Sequence, residues 1–176
     1  MVIVEGVDGS GKTTLIKNLI ADGLVDNVIS KLFDPKYPHL LYGRLCDALH
    51  DYMDYPRVVA DRFFISELVY GPILRGKLIL SKAQISTILT LIQAQIPVVI
   101  IWCHPPLKTV KESLREPQMA GVVESIEKLY TGYEAIMPIL FRGSFALQFE
   151  YDWTNPEAYS FLKNYLKGIQ DEHQGL

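Results

Sequence analysis

The chain has 176 residues, 49% hydrophobic and 21% charged, with a formal net charge of −3 and a pI near 5.8. That size and composition belong to one folded domain with a substantial core and exclude a disordered or low-complexity chain. The acidic balance argues against a broad nucleic-acid-binding surface. The longest apolar run, 96–103, contains a proline and falls far short of the roughly 20 residues of a membrane span.

Residues 1–4, MVIV, read as a first strand, followed at once by GVDGSGKTT and a helical stretch over 12–21. No basic segment, apolar stretch and cleavage site precede the loop in signal-peptide order, so the expected compartment is the cytoplasm. Further strands are expected at 27–33, 57–60, 98–103 and 145–151; 98–103 is apolar almost throughout, as a strand buried on both faces should be. Ahead of that strand lies SKAQISTILTLIQAQ, where Ser81 and Gln84 have capping-box spacing and Ile85, Ile88, Leu89 and Ile92 recur at helical spacing. A helix over 122–137 places Ile126, Leu129, Tyr130 and Tyr133 on one stripe, and a last helix covers 156–166. Strands alternating with helices predict an α/β domain spanning 1–176, its five-stranded parallel sheet covered on both faces. Cys46 and Cys103 lie in apolar surroundings without metal-ligand spacing and are expected to be reduced and buried.

Gly6-x-x-x-x-Gly11-Lys12-Thr13, with a strand before it and a helix after it, matches the phosphate-binding P-loop. Its backbone N–H groups and the positive end of the following helix suit phosphate oxygens. Gly6, Val7, Asp8, Gly9, Ser10, Gly11, Lys12, Thr13 and Thr14 are therefore expected to bind ATP, with Lys12 bridging the β- and γ-phosphates and Thr13 on Mg²⁺. A plain Gly-Ser turn is the alternative. No Asn-Lys-x-Asp guanine-reading segment occurs, and transporter or helicase cores need signature segments and more length, which leaves a small phosphotransferase.

The wording V-E-G-V-D-G-S-G-K-T-T, 4–14, resembles the thymidylate kinase family. A second segment, Asp61-Arg62-Phe63-Phe64-Ile65-Ser66-Glu67-Leu68-Val69-Tyr70, is similar to that family's Asp-Arg-aromatic-x-x-Ser motif, with an aromatic four residues after the serine. The resemblance implies a three-layer P-loop kinase fold with strand order 2-3-1-4-5, ATP and Mg²⁺ as cofactors, and a deoxynucleotide-type acceptor. It also implies that Asp8 contacts the acceptor's sugar or reactive end and that Arg62 holds an acceptor phosphate. Asp61 would sit beside Mg²⁺ and the incoming nucleophile, Ser66 near the acceptor base, and Tyr70 near the sugar. The plainer readings are a surface ion pair for Asp61-Arg62 and core packing for Tyr70. A short lid is expected over 115–122, after a helix carrying Lys108, Lys111 and Arg115 that breaks at Glu116-Pro117. Arg115 matches the family's catalytic lid arginine, while Lys108 and Lys111 read equally as a solvated helix face. Residues 152–156 lie where relatives cradle the adenine.

The chain departs from the family between strands two and three, where a long helical segment supplies a stacking phenylalanine and a phosphate-gripping arginine. YGRLCDALHDYMDYP reads as too short to carry a comparable segment. Arg44 is the stand-in for the arginine, with Tyr42, Tyr52 and Tyr55 all open for the ring. Lys36, in FDPKYPH, is either a phosphate contact or an exposed loop lysine. The leading expectation is an ATP-dependent deoxynucleoside monophosphate kinase with dTMP as acceptor. An open acceptor side also suits a kinase of 5-hydroxymethyluracil within DNA, as in compact bacteriophage members of the family, with Asp61 as general base. A deoxynucleoside kinase is a further alternative. A regulatory nucleotide-binding ATPase with no acceptor is the non-kinase reading, against which the Asp61-Arg62 segment argues. A homodimer through apolar helices would use the 85–92 segment, which otherwise belongs to the core.

Overall fold

A computed structural model describes residues 1–30, 32–54, 57–94, 98–115, 118–142 and 146–174. In chain order the elements are β1 (Val2–Glu5), α1 (Lys12–Ala21), β2 (Asn27–Ile29), α2 (Leu41–Asp54), β3 (Val58–Asp61), α3 (Phe64–Arg75) and α4 (Lys82–Ala94). They continue with β4 (Val99–Cys103), α5 (Leu107–Ser113), α6 (Val122–Arg142), β5 (Leu147–Tyr151) and α7 (Ala158–Gln174). A 3₁₀ turn, Pro38–Leu40, leads into α2.

All five strands pair in parallel in the order β2-β3-β1-β4-β5, as expected. Because strand side chains alternate between faces, the central strands feed two cores. Ile3, Ala60 and Ile100 pack with Leu45, Leu49, Val69, Ile88 and Leu129 on one face. Val2, Val4, Val59 and Ile101 pack with Leu15 and Leu19 of α1 and Leu162 and Leu166 of α7 on the other. The register aligns Val4 with Asp61 and Glu5 with Trp102, so Glu5 and Asp61 reach the same, C-terminal edge of the sheet. That edge is where open α/β sheets bind ligands.

The main correction concerns α2. Leu41, Leu45, Ala48 and Leu49 recur at i, i+4, i+7 and i+8 and are all buried, so the stretch read as too short for a segment comparable to the family's forms a 14-residue helix packed on the core. Its tyrosines and flanking prolines mask that period in the sequence. Of Asp61–Tyr70, assigned no element from sequence, Asp61 ends β3 and Phe64 begins α3. The helix carrying Lys108 and Lys111 stops at Ser113 because Leu114 is extended, which leaves Arg115 in the connection rather than on the helix. β2 ends at Ile29, β3 runs on to Asp61, and α6 continues past Pro138 to Arg142. The expected break at Glu116-Pro117, Tyr55 and the start of the fifth strand at 145 lie outside the described residues.

The Ser81–Gln84 capping box is present, with the Ser81 N–H donating to Gln84 Oε1 at 2.9 Å and the Gln84 N–H to Ser81 Oγ at 3.2 Å. Both cysteines are free; Cys103 is buried, but Cys46 is only half-buried. Among the described residues no helix is long and apolar enough to cross a membrane.

Candidate active site

β1 delivers the chain into the glycine loop, and α1 starts at Lys12 with Gly11 as its N-cap at φ 89°. The first-turn N–H groups of such a helix have no intrahelical acceptor and face outward, ready for anionic oxygens. A Cβ on Gly11 would lie 2.6 Å from Trp153 Cδ1, so only glycine lets the Trp153 ring approach the loop this closely. Between these parts opens a cavity of about 740 Å³, lined by Asp8, Gly9, Gly11, Lys12, Thr13 and Thr14 of the loop. Arg115 and Gln118, Tyr151 and Trp153 complete much of its wall. Gly6, Val7 and Ser10 stand behind it: the Val7 carbonyl accepts from Lys12 Nζ at 2.6 Å, and Ser10 is fully buried. Burial, and then the nearby Arg62 cation, lower the Lys12 ammonium to about 8. An arriving polyphosphate would offset both effects.

A second cavity, about 220 Å³, lies on the other side of Asp8, Asp61 and Arg62, which line both. Phe63, Ser66, Glu67 and Tyr70 of the α3 segment, spaced i, i+3, i+4, i+7, form one wall. Leu32, Phe33, Leu41, Arg75 and Met119 close the remainder. At the junction Arg62 Nη2 pairs with Asp8 Oδ1 at 2.8 Å, and the Tyr70 hydroxyl donates to Asp8 Oδ2 at 2.7 Å. The Arg62 guanidinium also lies over the Tyr70 ring, 4.6 Å from its centroid. Burial alone would raise the Asp8 carboxyl; the Arg62 and Lys12 cations and the Tyr70 hydroxyl outweigh it and hold the group below its ordinary range. The Arg62–Asp8 pair is thus partly buried, and Tyr70 belongs to the core while its hydroxyl reaches Asp8.

Arg62 sits at φ 69°, the only non-glycine residue at positive φ among the described residues. Such a conformation is uncommon and persists where surrounding bonds enforce it. The Arg62 N–H donates to the Val4 carbonyl at 2.9 Å, and the next N–H, of Phe63, to Glu5 Oε1 at 2.7 Å. Glu5, fully buried, also accepts from the Ser66 hydroxyl at 2.7 Å and the Tyr133 hydroxyl at 2.9 Å. It thus ties β1, α3 and α6 together at the turn that aims Arg62. Sequence reasoning missed Glu5, although a lone carboxylate in an otherwise apolar strand was the available signal. Ser66, expected near an acceptor base, lines the smaller cavity, and its hydroxyl is directed at Glu5 and Tyr133.

Two measurements follow for Glu5. Glu5→Ala strands buried donors without an acceptor, at about 1–3 kcal/mol each, and is expected to lower the unfolding midpoint in urea markedly; an unchanged midpoint would contradict the network. Burial, opposed by its hydrogen bonds, raises the Glu5 carboxyl above its ordinary 4.5. A raised folded value favours the fold most below 4.5, and that contribution is lost as pH rises through the folded value. Relative to Glu5→Gln, the wild type should therefore lose thermal stability as pH climbs from about 4.5 towards neutrality. Parallel melting curves for the two proteins across that range would overturn this assignment.

Other expected site residues fall elsewhere. Lys36 is exposed in a turn where its own N–H donates to Asp34 Oδ1 at 2.9 Å, and it lines neither cavity. Arg44 braces the loop before α2, donating to the Leu32 carbonyl at 3.3 Å and lying 3.7 Å from Asp34 Oδ2. Tyr42 packs against the core, and the Tyr52 side chain lies outside the described residues. Among the described residues of that part of the chain, Phe33 is the ring that lines the smaller cavity. Lys108 pairs with Glu112 at 3.9 Å and Lys111 with Glu127, which fits the solvated-face reading. Arg115 is exposed and lines the larger cavity.

No protein-family model and no curated protein matches the chain. Solved structures do. YorR protein from Bacillus subtilis, in complex with phosphorylated GDP, is 19% identical, with 98% of this chain and 97% of that one covered and a TM-score of 0.71. Deoxyadenosine kinase from M. mycoides with bound dATP is 13% identical, with 94% and 98% covered and a TM-score of 0.65. The same enzyme with products dCMP and dCDP is 14% identical, with 96% and 99% covered and a TM-score of 0.61. The fold is that of a P-loop kinase. Within a P-loop kinase fold, the larger cavity lies at the P-loop and the smaller one at the start of α3.

Proposed function

We propose that the protein is an ATP-dependent phosphotransferase whose acceptor is a deoxynucleoside or deoxynucleoside monophosphate. The observation that carries this reading is the shared wall: Asp8, Asp61 and Arg62 line both cavities, so groups bound in the two compartments would meet there. ATP would occupy the larger cavity, its phosphates on the loop N–H groups and Lys12, with Arg115 positioned to approach the transferring group. Thr13, exposed, and Asp61, half-buried, supply hard oxygen donors to the same cavity and would hold Mg²⁺. Bound there, Mg²⁺ would neutralise charge on the β- and γ-phosphates.

The acceptor oxygen bonds to the γ-phosphorus as the bond from that phosphorus to the β,γ-bridging oxygen breaks, releasing ADP. When the acceptor is a hydroxyl its proton passes to Asp61; an ionised phosphate oxygen needs no base. Arg62 and Asp8 hold the acceptor's reactive end, and Tyr70 packs against its sugar. The deoxynucleotides named with the M. mycoides structures support this acceptor class. dTMP rests on the sequence resemblance. The 14-residue α2 fills the stretch read as too short for the family's acceptor segment, which weakens the motive for a base extruded from DNA.

The test is incubation with ATP and Mg²⁺ alongside deoxynucleosides, deoxynucleoside monophosphates and hydroxymethyluracil-containing DNA, with products identified by mass spectrometry. Transfer to a small acceptor is expected. Transfer to DNA alone would overturn the proposed acceptor, and ADP release indifferent to every acceptor would favour a regulatory ATPase. A homodimer through the partly open side of α4, where Ile85 and Leu89 lie, would appear as a doubled mass in light scattering.

A further inference from the structure

The reactive end of an acceptor has to reach the wall that the two cavities share, and the charges on that wall bear on what it can be. Two carboxylates, Asp8 and Asp61, and one guanidinium, Arg62, line both cavities. Arg62 is already engaged: its Nη2 pairs with Asp8 Oδ1 at 2.8 Å, and the group lies over the Tyr70 ring. Asp8 is engaged at both oxygens, since Oδ2 accepts from the Tyr70 hydroxyl at 2.7 Å. Asp61 differs. It is half-buried, and its carboxylate has neither a hydrogen-bond donor nor an ion-pair partner among the described residues.

The other cations lie elsewhere. Lys12 and Arg115 line the larger cavity but not the smaller. Arg75, the second guanidinium of the smaller cavity, pairs with the buried Glu67, lies over Phe33 and does not line the larger one. A phosphate monoester near neutral pH carries roughly two negative charges and three strong acceptor oxygens, which call for guanidinium forks free to receive them. At this wall it would meet one guanidinium already neutralised by Asp8 and a second, unpartnered carboxylate. A hydroxyl is neutral and both donates and accepts. It can donate to Asp61 while accepting an N–H from Arg62, and no carboxylate has to be displaced.

We infer that the acceptor presents a neutral hydroxyl, not a phosphate, to the shared wall, and that Asp61 takes the proton of that hydroxyl. This rests on the kinase reading above and narrows it to alcohol acceptors. The hydroxyl oxygen bonds to the γ-phosphorus, the bond from that phosphorus to the β,γ-bridging oxygen breaks, the proton passes to Asp61 and ADP leaves. A carboxylate has two oxygens, so Asp61 can hold Mg²⁺ through one and take the proton on the other. Two sources supply such an alcohol, the 5′-hydroxyl of a free nucleoside and a hydroxymethyl group on a base in DNA, and the assay separates them.

The deciding experiment measures kcat/KM of the full chain, with ATP and saturating Mg²⁺, on deoxyadenosine, deoxycytidine, deoxyguanosine and thymidine, each against its own 5′-monophosphate. A hydroxymethyluracil oligonucleotide is run beside its thymine counterpart. The best nucleoside should exceed its monophosphate by about 100-fold or more. Transfer confined to the hydroxymethyl group would support the hydroxyl chemistry while overturning the small acceptor. A monophosphate used as well as the best nucleoside, or better, overturns the inference. Asp61→Asn should slow transfer to the hydroxyl acceptor by about 100-fold, mainly in kcat, and narrow its lead over the monophosphate, because base and like charge are removed together. An unchanged kcat in a folded Asp61→Asn protein also overturns the inference. If that variant does not fold, judged by circular dichroism, the wild-type pairs decide. If no acceptor receives phosphate, the kinase reading fails instead, and calorimetric titration of the same pairs decides: a monophosphate bound as tightly as its nucleoside, or more tightly, overturns the hydroxyl assignment.

Discussion

Replacing Lys12 with alanine is expected to lower phosphoryl transfer by about 10²–10³-fold or more and to leave the fold intact. The side chain is 7% exposed and its ammonium is folded onto the Val7 carbonyl. Buried beside Arg62, that charge feels Asp8 and Asp61 but makes no direct ion pair among the described residues, and a polyphosphate would supply one at the point where transition-state charge develops. Truncation does not open a hole in either hydrophobic core, because the side chain lines the 740 Å³ cavity rather than the packed interior. Single-turnover assays with ATP and an active acceptor, paired with thermal melts, check both halves. Full activity in a folded Lys12→Ala protein would defeat the P-loop assignment.

Arg62 is expected to give the second-largest loss, with kcat for Arg62→Ala reduced by about 10²–10³-fold. Arg62→Lys should recover only a small part. The guanidinium simultaneously pairs with Asp8 and lies over the Tyr70 ring, and a lysine ammonium has neither its planar group nor its fork of donors. Loss of the cation would also remove a main influence holding down the Asp8 carboxyl. Steady-state kinetics with each substrate varied in turn distinguish the cases. A lysine variant as active as wild type would mean that a point charge suffices and that the stacked geometry is incidental.

The donor compartment was legible in the sequence because its determinants are contiguous: apolar strand, glycine spacing, lysine and helix all fall within 1–21. The strand order followed from the fold that this motif implied. The acceptor compartment was less legible because it is assembled from distant pieces, Leu32 and Phe33, one face of α3, and Met119, which no local period links. Glu67 stood inside the quoted motif, yet only the folded chain brings Arg75 and Phe33 to it. Lys36 and Arg44 were selected for charge near the expected acceptor, and charge alone could not reveal that neither lines the cavity. Trp153 reached the donor cavity through a loop identified by position, with its contact on Gly11 unforeseen.

The wall that Asp8, Asp61 and Arg62 form between the two cavities has a thermodynamic consequence. A ligand in either compartment alters the electrostatic potential on the same three side chains, so occupancy of one compartment cannot be energetically neutral for the other. Whatever factor a bound acceptor applies to ATP affinity, ATP must apply to acceptor affinity, since linkage in binding free energy is reciprocal. The partition is thus the element through which heterotropic coupling would pass, and a double titration would measure its sign and size.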